Sequence, residues 1–95
     1  MLFRSIVKQF YYEDIPSLRE RKGVILLDTR TAFEYMRGHA EDFINIPLDD
    51  LRERLGELVK EKKIYVMCQS GLRSYLATRI LMQNGFDAYN FAGGF

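Results

Sequence analysis

The sequence predicts an α/β domain whose mostly parallel, five-stranded sheet is covered by helices on both faces. Three observations predict it. Short apolar runs that suit buried strands alternate with segments that carry helix caps or helical leucine spacing. The intervals between these segments are short. Two of the apolar runs are continuous, as in strands that are covered on both faces.

Five segments are predicted strands because they are apolar, β-branched or aromatic. In chain order they are residues 6–12, 24–27, 43–46, 64–67 and 86–91. We expect the aromatic residues 10–12 of the first strand to pack in the core, and the alternative for them is a patch that faces a partner. Asp28 directly follows the second strand and Cys68 directly follows the fourth. Because sites in such sheets form at the carboxyl ends of strands, we expect Asp28 and Cys68 at one edge.

Two helices are predicted from residues at their ends. Residues 14–21 suit a short helix, with a proline in its first turn. Thr31 and Glu34 have the spacing of a capping box, which begins a second helix. That helix runs to about Arg37 and ends at Gly38.

Two further helices are predicted from the spacing of apolar residues. Four leucines with charged residues between them predict an amphipathic helix that packs on the core. They are Leu48, Leu51, Leu55 and Leu58. Residues 72–84 show a helical pattern that Gly85 closes, and Gly93 with Gly94 predicts a final turn.

The composition indicates one ordinary globular domain. With 95 residues there is room for a single core, which we assign to residues 6–95, and residues 1–5 are expected to be a linker or a frayed end. The chain is 47% apolar and 28% charged, which argues against disorder. A net charge of +1 gives no reason to expect nucleic acid or an anionic membrane as a partner. No apolar run approaches the roughly 18 residues of a membrane span.

The one cysteine, Cys68, cannot form an internal disulfide, so a reducing cytoplasmic location is expected. Cysteine and histidine do not cluster, so no metal site is predicted.

The stretch CQSGLRS joins a predicted strand to a predicted helix. Gly71 can adopt the positive φ that a tight loop needs, and successive backbone N–H groups of such a loop converge on one point. The N-terminus of the following helix adds donors and positive potential. A cysteine at the mouth of this loop becomes the anion that the loop holds.

The free energies involved suffice to ionise this thiol. Lowering a cysteine pKa by about two units from about 8.5 needs roughly 2.7 kcal/mol. A helix terminus offers about 0.3 to 1 kcal/mol, and each hydrogen bond to a charged group adds roughly 1.5 to 3 kcal/mol. The single histidine, His39, is therefore not required as a base. The alternative is an inert, buried cysteine at a strand end.

Five motifs in order resemble the rhodanese-like family of single-domain sulfurtransferases. They are LLDTR at 26–30, Phe33-Glu34-Tyr35 with Gly38-His39, Asn45-Ile46-Pro47, Cys68–Ser74, and Gly93-Gly94. The wording VKQFYYEDI and CQSGLRSYLATRIL is most similar to the C-terminal rhodanese domain of coenzyme A (CoA) disulfide reductase-type flavoproteins. The resemblance implies a three-layer, rhodanese-like fold.

The resemblance also implies a mechanism and a site. Cys68 is the expected nucleophile, which carries sulfane sulfur as a persulfide, and Arg73 is expected to orient or neutralise an anionic donor. The loop that holds the persulfide is implied to comprise Gln69, Ser70, Gly71, Leu72 and Ser74. Asp28, Arg30 and His39 are the expected supporting residues. For these three the favoured interpretation is structural: an Asp28–Arg30 salt bridge and cap, and a hydrogen-bonded His39.

For cofactors and partners, the resemblance implies a sulfur donor and a thiol acceptor, each either a small molecule or a protein. It implies no cofactor within this domain, whose sequence has no GxGxxG motif. FAD, NAD(P)H and CoA are expected only in a larger parent protein, where this domain is fused to a flavoprotein reductase.

Two rival functions are weighed against sulfur transfer. Tyrosine-type phosphatases, some of which share this fold, use C-x5-R, whereas Cys68 and Arg73 give C-x4-R. The shorter loop suits a sulfur atom better than a phosphoryl group. The other rival is a non-catalytic binding or regulatory module with an incidental thiol. One departure from the family is the segment Ala40–Phe43, which replaces the common I-x-G-A after Gly-His.

Overall fold

A computed structural model describes residues 7–69 and 71–92. Its five strands form one sheet in the order β1-β5-β4-β2-β3, and all the pairings in the described part are parallel. The strands are β1 (Lys8–Phe10), β2 (Val24–Asp28), β3 (Ile44–Asn45), β4 (Lys63–Met67) and β5 (Ala88–Phe91). The predicted fold class is confirmed, with a sheet that is parallel throughout rather than mostly.

Helices connect the strands as the end signals predict. They are α1 (Ile15–Arg19), α2 (Ala32–Arg37) and α3 (Leu72–Gln83), with 3-10 segments at Tyr12–Asp14 and Leu48–Glu57. Thr31 and Glu34 form the predicted capping box of α2, and Gly38 follows its last residue. Gly85, with φ of 85°, follows the end of α3 as predicted.

Two apolar clusters lie on opposite faces of the sheet and make the fold three-layered. On one face α3 and the longer 3-10 helix pack on the sheet; the fully buried members include Leu27, Leu51, Ile64, Val66, Ala77 and Leu81. On the other face α1 covers the sheet, with Phe10, Ile15, Leu18, Leu26, Phe43, Tyr65, Met67 and Phe91. Alternate residues of β2 and β4 thus point to different clusters, as the strand period of two requires.

The first strand is shorter than predicted, and its aromatic residues do not all pack inside. Phe10 is buried, but Tyr11 and Tyr12 are 55% and 72% exposed, so the prediction of core packing is wrong for these two. The cause is a local turn. The Asp14 carboxylate accepts a hydrogen bond from the Tyr11 amide at 2.9 Å, and the Asp14 amide donates to the Tyr11 carbonyl. This turn takes the chain out of the sheet after Phe10.

The leucine-spaced helix is a 3-10 helix that ends at Glu57. Hydrogen bonds of the tighter type close it at both ends, from the Asp50 amide to the Pro47 carbonyl and from the Leu58 amide to the Leu55 carbonyl. The leucines are spaced three, four and three residues apart, which is the spacing of an α-helix, so the sequence pattern did not indicate the 3-10 form. Leu51 of this 3-10 helix is fully buried.

The atypical segment after Gly38 and His39 is a turn built on Asp42. The Phe43 amide donates to the Ala40 carbonyl at 3.2 Å, and Asp42 has φ of 71°. Asp42 therefore occupies a left-handed position at the site where the common family motif has glycine. Aspartate tolerates this conformation better than most residues do, so a turn forms here without a glycine.

None of the helices in the described part of the chain combines the length and the apolar character that crossing a bilayer requires. The predicted linker at residues 1–5, the loop residue Ser70 and the predicted Gly93-Gly94 turn lie outside the described residues. The last strand begins at Ala88 rather than at Phe86, and β3 pairs only through Ile44 and Asn45. Phe86 nevertheless packs in the core.

Candidate active site

The carboxyl ends of β2 and β4 lie side by side, as expected for Asp28 and Cys68. Asp28 stands opposite Met67 in the parallel register, so Cys68 begins one residue beyond that pair. Both the amide and the hydroxyl of Thr29 donate to the Met67 carbonyl, at 3.0 and 3.2 Å. The last peptide before Cys68 is therefore held from the neighbouring strand.

The sulfur of Cys68 accepts hydrogen bonds from two backbone amides of the following loop and helix. The Gly71 amide and the Ser74 amide each lie 3.1 Å from Sγ. Gly71 has φ of 90°, the positive value that the loop was expected to need. Cys68 is 0% exposed. The two amide donors favour the anionic form of the sulfur, whereas burial by itself favours the neutral thiol, so any stabilisation of a thiolate here comes from the donors.

Ser74 locks the start of α3 onto the loop. Its side chain is fully buried and its hydroxyl donates to the Gly71 carbonyl at 3.2 Å. One turn further, the buried Thr78 hydroxyl donates to the Ser74 carbonyl at 2.7 Å. These bonds fix the orientation of the two amides that face the Cys68 sulfur.

Arg73 forms a bidentate ion pair with Glu34 of α2. Nη1 donates to Oε1 at 2.7 Å and Nη2 donates to Oε2 at 3.0 Å. The hydrogen bonds to Glu34 raise the pKa of Arg73, and a Cys68 thiolate acts on it in the same direction. The guanidinium thus lies within electrostatic reach of the sulfur, but both terminal nitrogens are engaged. Its predicted role toward an anionic donor stays a prediction.

Glu34 is held from its other side by the cap of α2. Its Oε1 also accepts from the Thr31 amide at 2.9 Å and from the Thr31 hydroxyl at 3.1 Å. The hydrogen bonds from Arg73, and then those from Thr31, lower the pKa of Glu34 to about 2. A single carboxylate therefore caps one helix and pairs with the first turn of another.

Asp28 and Arg30 form the predicted salt bridge and cap. Arg30 Nη2 lies 2.8 Å from Asp28 Oδ2, and the Arg30 amide donates to Asp28 Oδ1 at 2.9 Å. Nη2 also donates to the Gly38 carbonyl at 2.8 Å, which ties the end of β2 to the end of α2. The Asn45 side-chain amide donates to the carbonyls of Asp28 and Arg30 at 3.0 and 2.9 Å. This arrangement supports the structural interpretation of both charged residues.

His39 is exposed, stacks on the Tyr35 ring with centroids 3.6 Å apart, and places Nδ1 2.9 Å from the Tyr35 carbonyl. These contacts belong to the end of α2 and give His39 a hydrogen-bonded, structural position. The Tyr35 hydroxyl in turn donates to the Phe43 carbonyl, across the turn at Asp42.

The remaining loop residues differ in exposure. Gln69 and Leu72 are exposed on either side of the enclosed sulfur. Ser70 lies outside the described residues. Within residues 7–69 and 71–92, no three or more His, Cys, Asp or Glu side chains come together in a way that could hold a metal ion. The described geometry suits nucleophilic chemistry at sulfur, with an anion held by backbone amides.

Two residues at the site have structural roles that the sequence alone did not reveal. Glu34 was identifiable as a capping residue, but its pairing with Arg73, 39 positions away, is a tertiary contact. Asn45 stands in the Asn-Ile-Pro motif, yet its bracing of the Asp28–Arg30 segment depends on the β2–β3 pairing.

Comparison with known proteins places these features in a family context. The family model of the rhodanese-like domain matches residues 12–95. A sulfurtransferase from Allochromatium vinosum is 35% identical over 78 residues, which cover 81% of this chain and 73% of that protein. A tRNA uridine(34) hydroxylase from Buchnera aphidicola is 34% identical over 89 residues, which cover 86% of this chain but 28% of that protein.

Two solved structures contain a similar domain within a much longer chain. Reduced Bacillus anthracis CoADR-RHD matches with 41% identity and a TM-score of 0.86, over 93% of this chain and 16% of that one. An NAD-dependent persulfide reductase from A. fulgidus matches with 37% identity and a TM-score of 0.71, over 93% of this chain and 15% of that one. This chain therefore spans only a small part of both.

Proposed function

The chain belongs to the rhodanese-like family, and on that premise we propose that it is a sulfurtransferase that carries sulfane sulfur as a persulfide on Cys68. The observation that carries the proposal is the pair of backbone amides, of Gly71 and Ser74, that donate to the Cys68 sulfur at 3.1 Å each. An inert core cysteine has no need of two converging donors. The name of the A. vinosum relative adds support for the reaction class.

The proposed reaction has two displacement steps. The Cys68 thiolate attacks the outer sulfur of a donor, the donor's sulfur–sulfur bond breaks, and the electron pair leaves with the donor's remaining part. Cys68 then carries one added sulfur with its negative charge. An acceptor thiolate attacks that outer sulfur, receives it as a new persulfide and restores the Cys68 thiolate. No external oxidant or reductant is consumed in either step.

The amides of Gly71 and Ser74 contribute to both steps. They stabilise the thiolate before attack, and they stabilise it again as the leaving group when the acceptor removes the outer sulfur. Because the donors are backbone groups fixed by the Ser74 and Thr78 hydrogen bonds, they need little reorganisation during the reaction. The enclosed position of Cys68 keeps water from competing for those donors.

We also propose that the domain works beside a flavin- and NAD(P)H-dependent reductase that acts on CoA disulfide, CoA persulfide or polysulfide. The similarity to CoADR-RHD and to the NAD-dependent persulfide reductase supports this arrangement. FAD, NAD(P)H and CoA would then be held by the reductase and not by this domain. A working thiolate also suits a reducing cytoplasmic setting.

Intact mass after incubation with thiosulfate or polysulfide, in the absence of reductant, tests the Cys68 proposal. We expect the gain of one sulfur atom, its loss on adding cyanide, and no gain in Cys68→Ala. The absence of an adduct with either donor would overturn the proposal in favour of a binding or regulatory module. A gain that persists in Cys68→Ala would overturn the assignment to Cys68.

The reductase proposal has a separate test. The domain is fused to, or mixed with, a CoADR-type reductase domain, and polysulfide turnover is compared with the sum of the two separate parts. We expect the turnover of the combined domains to exceed the sum of the separate parts. In Cys68→Ala this excess should be lost. Turnover equal to the sum contradicts the proposed coupling and leaves the mass test of Cys68 unaffected.

A further inference from the structure

The charged side chains beside the Cys68 loop are matched one to one. Arg73 is paired with Glu34 through both terminal nitrogens, at 2.7 and 3.0 Å. Arg30, on the neighbouring strand end, is paired with Asp28 at 2.8 Å. The arginine that follows the reactive sulfur in this loop and helix start therefore already has an anion of the protein against it. The loop offers backbone amides, but little net positive charge, to an incoming donor.

Glu34 is a fixed counter-ion and not a mobile surface carboxylate. Thr31 holds its Oε1 through an amide and a hydroxyl, and the backbone amide of Glu34 donates to the same Thr31 hydroxyl. Its side chain and that of Arg73 are about equally half-buried, at 29% and 30% exposed. A donor that needs the Arg73 guanidinium must displace a carboxylate that Thr31 also holds in place through Oε1.

Sulfane donors differ in how much they need that guanidinium. Thiosulfate is a small dianion, and its transfer to the Cys68 thiolate releases sulfite, also a dianion. An organic persulfide carries at most one negative charge on its sulfur and releases a thiol or thiolate. Negative charge from Glu34 therefore opposes thiosulfate more than it opposes an organic persulfide.

We propose that Glu34 is a specificity-determining positioning residue, which acts through Arg73 to disfavour small dianionic donors and to favour persulfides carried on an organic thiol. This inference rests on the proposed sulfur transfer at Cys68 and names its substrate class. Glu34 touches neither the sulfur nor the donor in this scheme. It acts by occupying Arg73 and by its own charge.

The test compares two donors in the 95-residue chain. The second-order rate constant for persulfide formation on Cys68 is measured by quenched intact mass, with thiosulfate and with the persulfide of 2-mercaptoethanol, whose only charge is on its sulfur. Glu34→Gln removes the charge but keeps a residue that is suited to a capping box. We expect it to raise the thiosulfate rate constant about tenfold relative to that for the 2-mercaptoethanol persulfide. The gain should shrink at high salt, where the charge is screened.

The matched control is Glu57→Gln. Glu57 pairs with Arg54 through two hydrogen bonds, at 2.8 and 2.9 Å, on the 3-10 helix. This variant removes the same charge from a similar ion pair outside the site, so the donor ratio should stay at the parental value. Glu34→Asp, which keeps the charge, should retain the discrimination. Arg73→Gln added to Glu34→Gln should abolish the thiosulfate gain, because the gain acts through Arg73.

Three results would overturn the inference. Equal changes in both rate constants of Glu34→Gln would make Glu34 a structural support only. A matching change in Glu57→Gln would assign the effect to net charge. Failure of the parent protein to form a persulfide with either donor would overturn the proposed function as well, so the two failures are distinguishable.

Discussion

The carboxylate of Asp28 and the guanidinium of Arg30 form an ion pair that is almost entirely removed from solvent, with side-chain exposures of 1% and 9%. The pair closes the end of β2 and reaches the end of α2 through the Gly38 carbonyl. It therefore connects the strand that neighbours Cys68 to the helix that carries Glu34.

Breaking this pair should be costly. In Asp28→Asn the Arg30 charge stays buried without its anion, so we expect the free energy of unfolding to fall by about 3–5 kcal/mol. Urea denaturation measures it. Asp87→Asn is the control, because Asp87 pairs with Lys8 in an exposed position, where about 0–1 kcal/mol is expected. If both variants lost the same free energy of unfolding, the larger stabilisation expected from the buried pair would be contradicted.

Gly71 should be sensitive to substitution because of its backbone and not because of crowding. A Cβ at Gly71 would meet nothing within 4 Å, but the φ of 90° is strained for any L side chain. We expect Gly71→Ala to lose about 1–2 kcal/mol of stability and to form the Cys68 persulfide more slowly. Gly56→Ala is the matched control, since that glycine also has open space but no positive φ. Its alanine should be neutral or stabilising, and the same loss at both sites would refute the argument.

At position 42, in the turn that follows α2, aspartate should stabilise the protein more than alanine does and no more than glycine does. Its φ of 71° favours glycine, and its contact with Arg19 is only a 4.0 Å approach between largely exposed side chains. Thermal unfolding should show that Asp42→Ala lowers the free energy of unfolding by about 1 kcal/mol. Asp42→Gly should have a free energy of unfolding equal to or above that of the parent. Glu41→Ala, one residue earlier and without a positive φ, should change little. Indistinguishable alanine and parent proteins would mean that the turn relaxes without cost.

Acid should remove the contribution of Glu34 to stability. The folded-state pKa of Glu34 is lowered from its usual 4.5 to about 2, mainly by Arg73. A lowered carboxylate pKa stabilises the folded state above the unfolded value, and that contribution is lost as the pH falls from about 4.5 toward 2. The urea midpoints of the parent and Glu34→Gln should therefore differ at neutral pH and converge in acid. A difference for Glu34→Gln that does not change with pH would contradict the assigned cause.

Features with a local signal were predictable from the sequence. The bounds of β2, α2 and α3 follow from an apolar run, a capping box and the glycines that close the helices. The positive φ of Gly71 was predictable because a strand and a helix meet within a few residues. The family motifs nominate Cys68 as the centre of the site, and that assignment stays a prediction.

Features that depend on distant or competing contacts were not predictable. No local pattern in the sequence predicts the ion pair between Arg73 and Glu34, because the two residues lie on different helices. Tyr12 belongs to a β-favouring run, but the hydrogen bonds of Asp14 turn the chain before it can pair. The 3-10 form of residues 48–57 was not predictable, because the leucine spacing of three, four and three is that of an α-helix.

The strand order has a consequence for how the domain is made on the ribosome. β5 is the last strand to be synthesised, yet it lies between β1 and β4, and Lys8 pairs with Tyr89. β2, β3 and β4 can associate while translation continues, but β1 has no neighbour until β5 has emerged. At roughly 5–20 residues per second, the nascent chain spends seconds with its first strand unpaired. A pause or truncation before residue 88 would therefore leave a partial sheet, in which the edge of β4 that β5 normally pairs with is open to other strands or to chaperones.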